Sequence, residues 1–266
     1  MSSLSQALLR QEPLLIQPRL LADFVARCGA FDEMLQELLG VPPKAEIIDG
    51  VGVVPVSGII GKNLSPIERM LGAADVDEVA GQVKEFAADP NVHTILLDLD
   101  TPGGTATGVP ELADLIGRQT KPTVAFTSSV ACSAGYWIGS QADRFIATPS
   151  ASVGSIGAFI PFLDSSAALA AEGLFVDVIK AGKFKGAGFP GTALSEEQRT
   201  HMQEKVNQLH SVFKTSVRAK RQYVRDSDME GQDFYGSDAA DKRLVTGLSS
   251  REELLAGLTR GFKHDA

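Results

Sequence analysis

This 266-residue sequence is poor in cysteine and has no long apolar run, and both shortages exclude classes of protein. Its two cysteines, Cys28 and Cys132, are too few for a disulfide framework or a cysteine-based metal cluster, which indicates a reducing compartment. No stretch reaches the roughly 18 apolar residues of a membrane span, and the first residues lack the basic and apolar regions of a signal peptide. We therefore expect a cytoplasmic protein without stable membrane insertion.

Positive charge is also not in excess, because 33 acidic residues against 25 basic ones give a formal net charge of −8. A nucleic-acid-binding surface needs a clustered basic stripe. The one local cluster, Arg218, Lys220 and Arg221, is predicted to be a solvated helix end rather than a phosphate site. We expect no nucleic acid partner.

The hydrophobic content of 44% is that of an ordinary globular protein with a substantial core. Composition and pattern predict a helical N-terminal arm over 1–45, a main domain over 46–248 and a C-terminal helix and tail over 249–266. Helices predicted at 18–28 and 31–39 have apolar faces that need a partner, either the main domain or another subunit.

From residue 46 onward, paired strands with tight glycine turns are followed by a regular alternation of helix and strand patterns. The predicted strands are 94–99, 123–127, 144–147 and 175–179, and the predicted helices are 76–87, 110–117, 133–141, 165–172 and 195–221, with a further helix start at 250–253. Ser195 and Gln198 have the spacing of a capping box. Strands alternating with crossover helices predict an α/β fold with a mostly parallel sheet.

Two loops of this sheet are expected to be neighbours, because each follows a strand at its carboxyl end. One is the stretch 100–104, and the other is 127–136. Ser133 lies in the second loop, between an apolar strand and the start of a helix. Free N–H groups and the helix dipole favour developing negative charge there, so Ser133 is the candidate nucleophile.

A histidine-activated serine is one way to use this position. The stretch 131–135, Ala-Cys-Ser-Ala-Gly, differs from the Gly-x-Ser-x-Gly elbow of α/β-hydrolases only at Ala131. The downstream histidines disfavour a triad, because His201 and His210 lie within the predicted long helix and His264 in the tail. We interpret them as surface residues.

A lysine is the other candidate activator, since burial lowers the pKa of an amine until its neutral form can accept the serine proton. Lys180, Lys183 and Lys185 follow a predicted strand. Chemistry alone does not choose among the three, and a solvated basic loop is the alternative interpretation of this segment.

Four motifs in this order resemble the signal-peptide-peptidase-A family of Ser/Lys proteases, which includes lambda-type phage prohead proteases. They are 98–104 (Asp-Leu-Asp-Thr-Pro-Gly-Gly), 131–136 (Ala-Cys-Ser-Ala-Gly-Tyr), 153–157 (Val-Gly-Ser-Ile-Gly) and 180–185 (Lys-Ala-Gly-Lys-Phe-Lys). The resemblance covers about 47–248 and implies a ClpP/crotonase-like fold. The stretch 10–16 also resembles the start of the phage-type members.

The resemblance implies a role for three side chains. Ser133 matches the family's nucleophile and Lys185 its general base. Ser155 matches the serine that hydrogen-bonds the base lysine. Cys132 matches a packing position, so it is expected to be a buried structural thiol.

The resemblance also implies an oxyanion hole made of backbone N–H groups. Gly104 or its neighbour Gly103 matches one donor, and Ala134 matches the other. The glycine motif departs from the family at Thr101, where serine is common, and 244–248 departs from the usual Gly-Leu-Val-Asp ending. Neither position is expected to do chemistry.

The function implied is a serine endopeptidase that acts on polypeptides through an acyl-enzyme, without metal or cofactor. Because members of the family form rings, a homo-oligomer is expected, in the cytoplasm of a bacterium or a phage-infected cell. Scaffold or capsid proteins, or signal peptides, are the expected substrates. The rival hypotheses are a crotonase-like acyl-CoA enzyme and a catalytically silent structural subunit of the same fold.

Overall fold

The computed structural model describes residues 14–16, 44–65, 68–69 and 71–263. The helices predicted at 18–28 and 31–39 lie outside these residues, and the division of the chain into three parts stays a prediction. None of the helices in the described ranges is long and apolar enough to cross a membrane.

The described residues form eleven strands and seven α-helices. The strands are β1 (Leu14–Ile16), β2 (Glu46–Ile48), β3 (Val51–Gly61), β4 (Ala74–Asp75), β5 (Thr94–Thr105), β6 (Thr123–Thr127), β7 (Val130–Cys132), β8 (Arg144–Ala147), β9 (Ser152–Gly154), β10 (Asp233–Tyr235) and β11 (Gly247–Leu248). The helices are α1 (Val76–Ala88), α2 (Val109–Gly117), α3 (Ala134–Ser140), α4 (Ser166–Ala171), α5 (Glu196–Lys220), α6 (Gly236–Asp241) and α7 (Arg251–Lys263).

The sheet is organised around β5, whose 12 residues make it the longest strand. One edge of β5 pairs in parallel with β3, and the other edge pairs in parallel first with β6 and then with β7. The pairs β6 with β8, β7 with β9 and β8 with β11 are also parallel, whereas β1, β2 and β10 pair antiparallel. The predicted mostly parallel sheet with crossover helices is confirmed.

A hairpin leads into this sheet. β2 and β3 pair antiparallel around Asp49 and Gly50, which both have positive φ angles, 46° and 81°. Asp-Gly is the preferred sequence for such a two-residue turn, because the twist of this turn matches that of the strands.

Both faces of β5 are covered, as expected for a strand in a parallel sheet. Ile95 and Leu97 point into the larger core, which contains residues of α1, α2 and α3. Leu96 points to the opposite face, where Leu254 of α7 packs. The alternation of side chains along the strand therefore places one layer of helices on each side of the sheet.

Helix α3 is buried along its whole length. The Trp137 ring stacks on Phe213 of α5 with 4.3 Å between centroids, and Trp137 Nε1 donates to Ser216 Oγ at 2.8 Å. Tyr136 donates its hydroxyl to the carbonyl of Leu244 at 2.9 Å, and burial raises the pKa of Tyr136 well above its ordinary value. These contacts fix α3, and with it the residue that precedes it.

Helix α5 begins as predicted. Ser195 Oγ accepts from the Gln198 N–H and Gln198 Oε1 accepts from the Ser195 N–H, which completes the capping box. The prediction of a solvated helix end is wrong for Arg221, which is buried and donates to the carbonyl of Ala142 at 2.7 Å. Burial lowers the pKa of Arg221, and Tyr136 and Asp143 oppose that shift.

The prediction of a strand at 175–179 is wrong. These residues form no strand, and Phe175 and Ile179 are 85% and 97% exposed. An apolar run of this length indicates that side chains need burial, but the described part of this chain does not provide a place for them.

Candidate active site

Ser133 stands at a sharp turn between β7 and α3. Its φ of 54° and ψ of −117° lie outside the regions that a residue with a Cβ prefers. The Ser133 N–H donates to the carbonyl of Gly154 at 2.8 Å, and its carbonyl accepts from the Trp137 N–H at 2.9 Å. A backbone held in this way stores about 1–3 kcal/mol of strain, and such strain is concentrated at functional sites.

Ser155 lies at the equivalent point of the neighbouring strand. Cys132 of β7 pairs with Gly154 of β9. Ser133 directly follows Cys132, and Ser155 directly follows Gly154. Ser155 also has a φ of 54°, and its N–H donates to the carbonyl of Gln232 at 2.8 Å. Both serines are buried, at 1% exposure for Ser133 and 6% for Ser155. The sheet therefore brings the two predicted site serines to the same level.

The glycine loop at the end of β5 needs both of its glycines. Gly103 has a φ of 102°, which disfavours any residue with a Cβ, and its N–H donates to Thr101 Oγ1 at 3.1 Å. A Cβ on Gly104 would lie 1.8 Å from the carbonyl oxygen of Ile60 in β3. Close backbone approach therefore requires glycine at position 104.

The glycine loop and the serine turn are neighbours, as predicted. Thr101 of β5 pairs with Ala131 of β7. A Cβ on Gly135, in the first turn of α3, would lie 2.3 Å from Thr101 Cγ2. Ala134 begins α3, and the N–H groups of a first helical turn have no partner within the helix. The sequence spacing gave no sign of the contact between Gly135 and Thr101.

This contact predicts the effect of Gly135→Ala. Thr101 is fully buried and β-branched, so it has little freedom to move away from a new methyl group. We expect the substitution to lower the free energy of unfolding by about 1–3 kcal/mol, as overpacking does. Thr101→Ser removes the opposing methyl, keeps the hydroxyl that Gly103 uses, and should restore most of the loss. Denaturant unfolding of the two single variants and the double variant measures this coupling.

Gly81→Ala in α1 is the matched control, because nothing lies within 4 Å of its added Cβ. There alanine should stabilise the helix by up to about 1 kcal/mol. A Gly135→Ala protein as stable as the wild type would contradict the steric argument.

The three candidate lysines all lie on an exposed stretch between α4 and α5. Lys183 forms an ion pair with Glu197. Within the described residues, neither Lys185 Nζ nor Ser133 Oγ makes a hydrogen bond to a protein partner. The structure brings Ser133, Ser155 and the glycine loop together and does not bring Lys185 to them.

The alternative activators lie elsewhere. His210 Nε2 is 2.7 Å from the carbonyl of Met229, and the His201 ring is 4.8 Å from that of Phe184. Both are on α5, as expected from the sequence, whereas His264 is outside the described residues.

Cys132, the thiol next to Ser133, is buried. Its Sγ lies 3.7 Å from the Ser152 carbonyl oxygen.

Comparison with known proteins finds a family model, "Peptidase family S49", that matches residues 116–263. "Capsid assembly protease C" of Escherichia phage lambda is 31% identical over 76% of this chain and 47% of its own length. "Head-tail preconnector protein GP5" of Enterobacteria phage P21 is 31% identical over 64% of this chain and 34% of its own. This chain therefore spans less than half the length of either relative.

Among solved structures, an enoyl-CoA hydratase/isomerase family member is similar, with a TM-score of 0.45 and 20% identity over 84% of this chain and 77% of that one.

Proposed function

Because this chain belongs to peptidase family S49, we propose that it is a serine endopeptidase with Ser133 as nucleophile and Lys185 as general base. The observation that carries this proposal is the strained turn at Ser133, beside the glycine loop and Ser155. A hydroxyl at the start of a buried helix, next to close-packed glycine backbone, suits attack on a carbonyl whose oxygen becomes negative.

The proposed reaction has two halves. Lys185, as a neutral amine, takes the Ser133 proton while the oxygen attacks the scissile carbonyl. The tetrahedral oxyanion accepts hydrogen bonds from the N–H groups of Ala134 and of Gly104, or of Gly103 once its N–H has left Thr101 Oγ1. The resulting ammonium returns the proton to the leaving amine. In the second half, Lys185 takes a proton from a water molecule while that water attacks the acyl-enzyme carbonyl. The ammonium then returns the proton to the Ser133 oxygen as the acid product leaves. Ser155 is proposed to orient the Lys185 amine by a hydrogen bond.

A base lysine has to be shielded from water, because desolvation favours its neutral form. Lys185 is exposed, and the stretch around it carries exposed apolar side chains, among them Leu163, Leu174, Phe175, Ile179 and Phe189. We propose that a second copy of this chain covers this stretch in a homo-oligomer. Assembly would then bury the apolar side chains and the lysine together.

A polypeptide of phage head assembly is the proposed substrate, since the lambda relative is named a capsid assembly protease. Leftover signal peptides are the alternative substrate that the sequence resemblance implies. The proposed location is the cytoplasm of the bacterium or of the phage-infected cell.

Incubation of the wild-type protein with a peptide library, analysed by mass spectrometry, tests the proposal and reports cleavage specificity. A fluorophosphonate probe should label the same preparation at Ser133, and sedimentation should show an oligomer. A crotonase-like hydratase or a silent subunit would give neither cleavage nor labelling. A preparation that shows neither would therefore overturn the proposed function.

A further inference from the structure

The strand β1, Leu14–Ile16, lies against the glycine loop. β1 pairs antiparallel with the end of β5, with Leu14 opposite Thr105, Leu15 opposite Gly104 and Ile16 opposite Gly103. Gly103 and Gly104 are the residues proposed to contribute to the oxyanion hole.

The edge of β5 that β1 uses follows from the pairing. Ile59 and Ile60 of β3 pair with the same two glycines, Gly103 and Gly104. A strand has two edges for hydrogen bonding, so β1 lies on the edge opposite β3. That is also the edge on which β6 and then β7 pair with β5.

On this edge, β7 ends before it reaches Gly103, because the chain turns at Ser133, and β1 pairs with β5 from Gly103 onward. Ala131 pairs with Thr101, so a continued β7 would put residue 133 opposite Gly103. The chain turns into α3 instead, and Ile16 stands opposite Gly103. A scissile peptide has to lie between the Ser133 hydroxyl and the N–H groups of the glycine loop, and that space adjoins the same edge.

Ser133 itself is only 1% exposed. A nucleophile closed off in this way cannot receive a polypeptide unless part of the chain moves.

An extended peptide that adds to an open strand edge gains main-chain hydrogen bonds, which is a common mode of peptide binding.

We propose that Leu14–Ile16 is an internal competitor, which occupies the β5 edge at Gly103–Thr105 in place of an extended polypeptide substrate. The inference rests on the proposed function. The backbone pairing of Leu14–Ile16 carries it, because the main-chain groups of this segment lie where those of a substrate would have to pair. A tethered segment has an effective concentration in the millimolar range, so a substrate has to displace it.

A reversible cross-link tests the competitor. Leu14 and Thr105 are directly opposite across the antiparallel pair, a separation that a disulfide can span. The full chain with Leu14→Cys, Thr105→Cys and Cys28→Ser should form this bond on oxidation. Casein hydrolysis should then fall at least about tenfold and return with dithiothreitol. The wild type and the Thr105→Cys single variant, with and without dithiothreitol, are the controls.

Proline substitutions test the same contact in the opposite direction. N–H groups of alternate residues in a strand point to the same side, and proline removes one. Leu15→Pro should therefore differ from both Leu14→Pro and Ile16→Pro, and the variants that lose a ladder bond should hydrolyse casein faster than the wild type.

The outcomes separate the two proposals. Three outcomes would overturn the internal competitor. They are a cross-linked protein that hydrolyses casein as fast as it does after dithiothreitol has opened the bond, a bond that does not form on oxidation, and three proline variants that all hydrolyse casein at the wild-type rate. Absence of hydrolysis and of Ser133 labelling in every variant, including the reduced one, would overturn the proposed function instead.

Discussion

Ser133→Ala should abolish peptide hydrolysis, with a fall in kcat/KM of at least about 10⁴-fold. Without the hydroxyl no acyl-enzyme can form, and only binding and the backbone donors remain to promote attack by water. Turnover of a peptide identified from the library, measured by mass spectrometry over long incubation, checks this. Cys132→Ala is the matched control one residue away, and it should keep the activity because the thiol packs in the interior.

Ser133→Gly separates strain from catalysis at the same position. Glycine has no hydroxyl, so this variant should be as inactive as Ser133→Ala. Glycine tolerates the φ of 54° that serine adopts here, so the free energy of unfolding should be no lower than that of Ser133→Ala. It should exceed that of the wild type if the hydroxyl contributes little to folding. Activity that persists in both variants would remove Ser133 from the mechanism and leave Cys132 as the nucleophile to test.

Lys185→Met should reduce kcat/KM by about 10²- to 10⁴-fold, the usual contribution of a general base. Methionine keeps the length of the side chain but has no amine to accept the Ser133 proton. Lys185→Arg is the sharper variant, because arginine keeps the positive charge and is never deprotonated in proteins. It should be as inactive as Lys185→Met, as measured by peptide turnover and by the rate of fluorophosphonate labelling.

Lys183→Met is the control for this experiment. Lys183 lies two residues from Lys185 in the same exposed stretch, and its ion pair with Glu197 is a surface contact worth at most about 1 kcal/mol. Activity should therefore remain within a few fold of the wild type. If Lys183→Met lost activity and Lys185→Met did not, the general base would be Lys183 and not Lys185.

Local sequence signals predicted the elements that frame the site. The Asp49-Gly50 turn and the capping boxes at Ser195 and Ser250 depend on contacts within a few residues, and all three are present. The neighbourhood of the glycine loop and Ser133 was also predictable, because loops at the carboxyl ends of adjacent parallel strands share one edge of the sheet.

Features that depend on distant parts of the chain were not predictable from the sequence. The apolar pattern at 175–179 predicted a strand, but these side chains are exposed and no described strand pairs with them. The position of Arg221 beside a helix end gave no sign that the carbonyl of Ala142 would bind it in the interior. Leu14–Ile16 is only three residues long, too short for a periodicity, and its place is set by pairing with β5.

The packing of Gly135 on Thr101 also limits the order in which this site can evolve. Position 101 carries threonine here. A lineage that replaces threonine by serine first removes one methyl group, and alanine at position 135 then becomes acceptable. The reverse order passes through an overpacked intermediate, so selection should favour only one of the two mutational paths.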